Sequence, residues 1–154
     1  MTHHPTPVTG GCLCGRVRYK AQVFLHNGYI CHCTICQRST GQPAEITVLI
    51  KAGTLVYTGE EPKYYQSSPY GKRGFCAECG SRIVWQALRA EDDWLTNVTV
   101  GSLDQPEDAR MTRHICADTQ LSWYDPCPAL PKLGADQADL LVATLRAEVQ
   151  PDRT

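Results

Sequence analysis

Three cysteine-rich stretches constrain this chain more than anything else in it: GGCLCG at 10–15, CHCTIC at 31–36 and GFCAECGS at 74–81. They hold seven of its nine cysteines. An odd number of thiols in tight clusters argues against a disulfide framework, and disulfides within C-x-C are strained. The spacings also fit neither the bacterial nor the plant-type iron–sulfur pattern. Metal ligation in a reducing compartment is the reading that remains.

The third stretch is the clearest half-site. Cys76 and Cys79 stand at C-x-x-C before Gly80, a knuckle in which a tight turn aims two sulfurs at one ion and the glycine relieves the strained position. Cys12 and Cys14 form a second half-site, with glycines at 10, 11 and 15 freeing the backbone from flat strand geometry. Joined, the two pairs make one closed four-cysteine zinc site that staples segments more than 60 residues apart in sequence. Cys31, Cys33 and Cys36 are then left without a cysteine pair to complete them. Elimination leaves this second zinc open, the mark of a catalytic site. The rival arrangement takes a fourth ligand from Cys116, Cys127 or His114 and makes a second structural site.

Residues 17–23, VRYKAQV, put Val17, Tyr19, Ala21 and Val23 on one side, the period of a half-buried strand. Similar β-rich runs at 45–50, 55–58, 81–86 and 94–100 are separated by Gly, Pro, Asp and Asn turn signals, so the body is expected to be mainly β. One helix is expected, over 135–149, where Ala138, Leu141, Val142, Leu145 and Val149 fall on one stripe. The proline-rich stretch DPCPALPKLG at 125–134 reads as a linker before it. The division expected is a zinc domain at 8–130, then linker and amphipathic helix at 131–154, the helix covering the domain or pairing with a second copy of the chain.

At 154 residues the chain is sized for one core. A formal net charge of -1 gives no basic face for a nucleic-acid backbone, so no nucleic-acid partner is expected. Apolar runs such as ITVLI and LLVATL fall well short of the roughly 20 residues that span a bilayer, so no membrane partner is expected either. The start MTHHPTPVTG has neither a basic n-region nor an apolar h-region, and the expected location is the cytoplasm.

In order and spacing, GGCLCGRVRY, CHCTICQRSTG and RGFCAECGSRI resemble the glutathione-dependent formaldehyde-activating enzyme family, which includes centromere protein V. The resemblance covers about residues 8 to 128 and extends to HICADTQLSWYDPCPALP from His114. It implies a zinc-stapled fold of the β-tent type, built of several small coiled antiparallel sheets. It implies a structural zinc on Cys12, Cys14, Cys76 and Cys79 and a catalytic zinc on Cys31, Cys33 and Cys36. Two zinc ions per chain are therefore expected, the second labile. The activity implied is that of a carbon–sulfur lyase, S-hydroxymethylglutathione synthase-like, acting on a glutathione or other thiol adduct of formaldehyde or a related small aldehyde. A zinc holding three thiolates generates hydroxide poorly but exchanges a further thiolate readily, which suits such a substrate.

Beyond the cysteines, Arg38 and His114 are candidate substrate contacts, Arg38 through bidentate pairing with a carboxylate. His32, between two ligands, is either a proton carrier or turned away from the metal. KYYQSSPYGKRGF at 63–75 is read as a strand and turn leading into the knuckle, in preference to an anion-binding surface of Tyr64, Tyr65, Tyr70, Lys72 and Arg73. Trp123 and Tyr124 are expected in the core or a cleft wall, and Cys116 and Cys127 as free or buried thiols. The competing function is a non-catalytic binding module with two structural zinc sites; a redox or metal-buffering protein is a third.

Overall fold

The computed structural model describes residues 4–150 and is mainly β, with two sheets and a C-terminal helix. Strands β1 (Thr6–Gly11), β2 (Arg18–Val23) and β5 (Val56–Tyr57) make a three-stranded antiparallel sheet. The second sheet has eight strands. These are β3 (Gly28–Cys31), β4 (Glu45–Leu49), β6 (Lys63–Ser68), β7 (Gly71–Phe75), β8 (Arg82–Ala87), β9 (Thr96–Thr99), β10 (Met111–Ile115) and β11 (Lys132–Leu133). They lie in the order β11-β10-β3-β4-β9-β8-β7-β6. Pairing is antiparallel except at β10, which runs parallel to both β3 and β11.

The alternation read in residues 17–23 is realised: Val17, Tyr19, Ala21 and Val23 are all buried. They meet Val48, Ile50, Val84 and Val98 from one face of the large sheet to form a first core. Successive side chains of a strand point to opposite faces, so β4 sends Val48 into this core while Glu45, Thr47 and Leu49 face the other way. On that opposite face Phe24, Tyr29, Leu49, Trp94, Leu95 and Ile115 build a second core. The large sheet is thus a partition between two cores, each holding one cysteine cluster.

Among the described residues, two α-helices complete the fold. Helix α1 (Thr34–Thr40) is short, capped at its start by Cys33 and at its end by Gly41, whose φ of 67° is the left-handed C-cap position. Helix α2 (Ala138–Val149) follows a 3-10 turn at Ala135–Gln137. Its stripe packs on the second core through Leu141, Val142, Leu145 and Val149, while Ala138 at the N-terminal end is exposed. Strand β11 arises within the proline-rich approach to this helix and adds to the edge of β10. No helix among the described residues is long and apolar enough to cross a membrane.

Leu145 is 2% exposed and is the one buried side chain of α2. Leu145→Ala is expected to cost about 2–4 kcal/mol in urea denaturation. Leu140→Ala, at a position 58% exposed, should stay within about 0.5 kcal/mol of the parent.

Candidate metal centres

The first centre forms where two hairpin turns meet. Cys12 and Cys14 lie in the turn between β1 and β2, Cys76 and Cys79 in the turn between β7 and β8. All four sulfurs lie within 4.8 Å of one another, with Cys12 to Cys14 at 3.5 Å and Cys14 to Cys76 at 3.7 Å. A tetrahedral zinc with bonds of about 2.3 Å sets its sulfurs about 3.8 Å apart, so the donor set and its spacing fit that ion. Both turns carry a left-handed glycine, Gly15 with φ 80° and Gly80 with φ 75°. Backbone bonds close them, Gly15 N–H to Cys12 O at 3.2 Å and Gly80 N–H to Cys76 O at 2.9 Å. Ser81 ties the turns together: its hydroxyl lies 3.2 Å from Cys79 Sγ and accepts from Leu13 N–H at 3.0 Å. Hydrogen bonds from Ser81 hold the Cys79 thiol down at about 5, favouring the thiolate a metal needs.

The second centre sits on the opposite face of the large sheet. Cys31 ends β3, Cys33 caps α1 and Cys36 lies in its first turn, and their three sulfurs fall within 4.8 Å of one another. The chain reaches this geometry because α1 begins immediately after β3: Cys36 N–H donates to Cys33 Sγ at 3.3 Å, so one thiol serves as both helix cap and cluster member. Gln37 and Thr119 both donate to His32 O, at 2.8 and 2.9 Å, fixing the intervening loop. Three soft thiol donors on one side fit zinc and leave one coordination position without a member of the trio. Hydrogen bonds from Cys116, Cys31 and Cys36 hold the Cys33 thiol far below its ordinary value. Contacts with Cys116, Cys33 and Cys36 push Cys31 upward.

A buried arginine stands against the trio. Arg73 on β7 donates to Cys36 Sγ at 3.4 Å, to Glu45 Oε2 at 2.7 Å and to Ser67 and Ser39 hydroxyls at 2.9 and 3.2 Å. Glu45, in turn, pairs with Arg82 at 3.0 Å. This Arg73–Glu45–Arg82 group carries one excess positive charge next to a cluster that becomes anionic on metal binding, so the two compensate at short range. The sequence offered Arg73 only within the less favoured anion-binding surface of 63–75 and did not single out Glu45. The signal was present: a glutamate on the inward side of the apolar strand EITVLI is a buried charge that requires a partner.

The trio lines a cavity of about 500 Å³. Trp85, Leu95 and Ile115 supply apolar wall, α2 adds Leu141, Val142 and Leu145, and Arg73, Asn97 and Tyr70 add polar groups. Of the two substrate contacts expected from sequence, Arg38 is exposed on α1 and His114 is fully buried, and neither lines this cavity. His114 accepts through Nδ1 from His32 Nε2–H at 2.7 Å and donates through Nε2 to Cys127 O at 2.9 Å, because a carbonyl only accepts. His32 is thus turned away from the metal ligands that flank it, and burial followed by its neighbour His114 pushes its pKa down. The 63–75 stretch is the β6–β7 hairpin leading into the knuckle. Trp123 is 71% exposed, packing edge-on against Tyr124 at 6.1 Å instead of entering the core.

A family model described as glutathione-dependent formaldehyde-activating enzyme matches residues 7–119. The chain belongs to that family. The matched span takes in all seven clustered cysteines, both charged partners Glu45 and Arg73, and Cys116. A relative named as an uncharacterized lyase from Schizosaccharomyces pombe is 23% identical over 116 residues, 75% of this chain and 82% of the relative.

Removing Glu45 leaves two buried guanidinium groups uncompensated. Glu45→Ala is expected to lower stability by about 3–5 kcal/mol, whereas Arg38→Ala on the exposed face of α1 should change it by less than about 0.5 kcal/mol. Urea unfolding followed by tryptophan fluorescence measures both, and equal effects would mean that the buried triad is not formed.

Proposed function

We propose that this chain is a zinc-dependent carbon–sulfur lyase that makes and cleaves a thiol adduct of a small aldehyde, glutathione and formaldehyde being the pair its family is described by. The observation that carries the reading is the gathering of Cys31, Cys33 and Cys36 on the wall of a cavity in the size range of small-molecule sites. The lyase named among its relatives agrees with this class of reaction.

Zinc held by the trio supplies a position for a thiolate and Lewis acidity toward a carbonyl oxygen. The chain's own residues do the rest. Arg73 offsets the charge of the thiolates and fixes Cys36 through a guanidinium that Glu45, Ser39 and Ser67 orient. Trp85, Leu95, Ile115 and the α2 side chains exclude water, which matters because water competes with the thiol for the aldehyde carbon. Asn97 Oδ1 is buried on the cavity side without a partner among the described residues and is suited to accept a substrate N–H. At the rim Arg89 stacks 4.2 Å over the Tyr70 ring and offers a cation to a substrate carboxylate.

In the synthetic direction the substrate sulfur forms a bond to the aldehyde carbon, the carbonyl π pair moves onto oxygen, and the proton released by the thiol ends on that oxygen. Cleavage is the reverse. Holding both partners in one dry cavity supplies the proximity that a dilute bimolecular addition lacks.

Elemental analysis of protein purified without chelator is expected to give about two zinc ions per chain, and Cys36→Ser about one. With the variant's circular dichroism unchanged, its thiol-dependent aldehyde turnover above the uncatalysed rate should drop by at least about a hundredfold. Fully metallated protein that never accelerates thiol addition to any small aldehyde would sink the proposal.

A further inference from the structure

Cys116 matches none of the seven ligand positions, yet the fold delivers it to the second centre. Strand β10 runs parallel to β3 with Ile115 opposite Cys31, and His32 N–H donates to Ile115 O at 3.0 Å. Cys116 comes next and ends the strand with φ 51° and ψ 43°, the only non-glycine residue with positive φ among the described residues. A side chain with a Cβ in that conformation is strained by about 1 kcal/mol or more, and it persists only where the surroundings fix it. Here they do. The 3-10 turn Ala117–Thr119 that follows is bonded back by Thr119, whose N–H reaches Cys116 O at 3.2 Å and whose hydroxyl reaches both Cys116 O at 3.1 Å and His32 O at 2.9 Å.

The result is a partly buried thiol on the same cavity wall as the trio, packed against the second core. The other two residues that sequence reading offered as a fourth ligand are not so placed. Both ring nitrogens of His114 are engaged, with His32 and with Cys127 O, and Cys127 does not line the cavity.

We propose that Cys116 is the fourth thiol of the second centre: it completes the ion's coordination when substrate is absent and yields its place to the incoming substrate thiolate. This rests on the reading of the site given above and extends it to how the open position is made. Cys31, Cys33 and Cys36 form the mutually close set, and Cys116 stands outside it on the same cavity wall. It is therefore the ligand most easily exchanged. The exchange balances: the substrate thiol gives up its proton, the departing Cys116 sulfur takes one up, and the number of thiolates at the centre stays constant. A site that is closed at rest and opens only to a thiol also protects its zinc from water and from carboxylate competitors.

The first measurement is zinc-edge X-ray absorption on the full chain loaded with zinc and free of added thiol. The expected average is about four sulfurs per zinc over both sites, falling to about 3.5 in Cys116→Ser and unchanged in Cys127→Ser. The second measurement needs no variant. Iodoacetamide labelling of Cys116, read by peptide mass, should be at least about tenfold slower in two-zinc protein than after limited chelation of the weaker zinc. Glutathione should restore fast labelling while zinc stays bound. An average already near 3.5 in the parent chain, or labelling indifferent to the second zinc, overturns Cys116 as a ligand. Protection by zinc that glutathione leaves intact overturns the exchange and, separately, the choice of glutathione as substrate.

Discussion

The meeting of two hairpin turns at Cys12, Cys14, Cys76 and Cys79 is the constraint on which the rest of the molecule depends. One turn belongs to the three-stranded sheet and the other to the eight-stranded sheet. Holding them together presses Val17, Tyr19, Ala21 and Val23 against Val48, Val84 and Val98 and closes the first core. A contact between residues so distant in sequence carries a large loop-closure entropy, which an ion held by the four thiols would offset. With one face of the large sheet committed in this way, its other face is free to carry chemistry.

The period-2 alternation of strands then does two tasks with one set of residues. Strand β4 faces the first core with Val48, the cavity with Glu45 and Thr47, and the second core with Leu49. Strand β7 contributes Arg73 to the cavity side and leads directly into Cys76, so the arginine that contacts Cys36 is anchored three residues from the first centre. The two cysteine clusters are joined through the sheet itself by way of β7.

Much of this was legible in the sequence. The alternation of Val17, Tyr19, Ala21 and Val23, the stripe Leu141, Val142, Leu145 and Val149, and the partition of the cysteines into four and three all reflect local patterns that the fold honours. What was not legible depends on pairing between distant segments. β1 is largely exposed and shows no alternation, and β11 is two residues long; both exist only because a neighbouring strand offers them hydrogen bonds. The same holds for the site. Arg73 and Cys116 reach the trio from β7 and from the end of β10, and nothing in their immediate sequence says that these segments lie beside residues 31–36. Arg38, two positions from Cys36, seemed nearer but projects from the exposed side of a helix.

Helix α2 walls the cavity with Leu141, Val142 and Leu145, and of all the elements that do so it is the last in chain order. During synthesis the four-thiol cluster, the trio and the strands between them can all assemble before the ribosome has translated the helix. For that interval the three thiols face solvent across a bare apolar surface, open to any metal or oxidant present. The second centre is thus walled in later than its thiols are brought together, and the order in which the chain is made separates the two events.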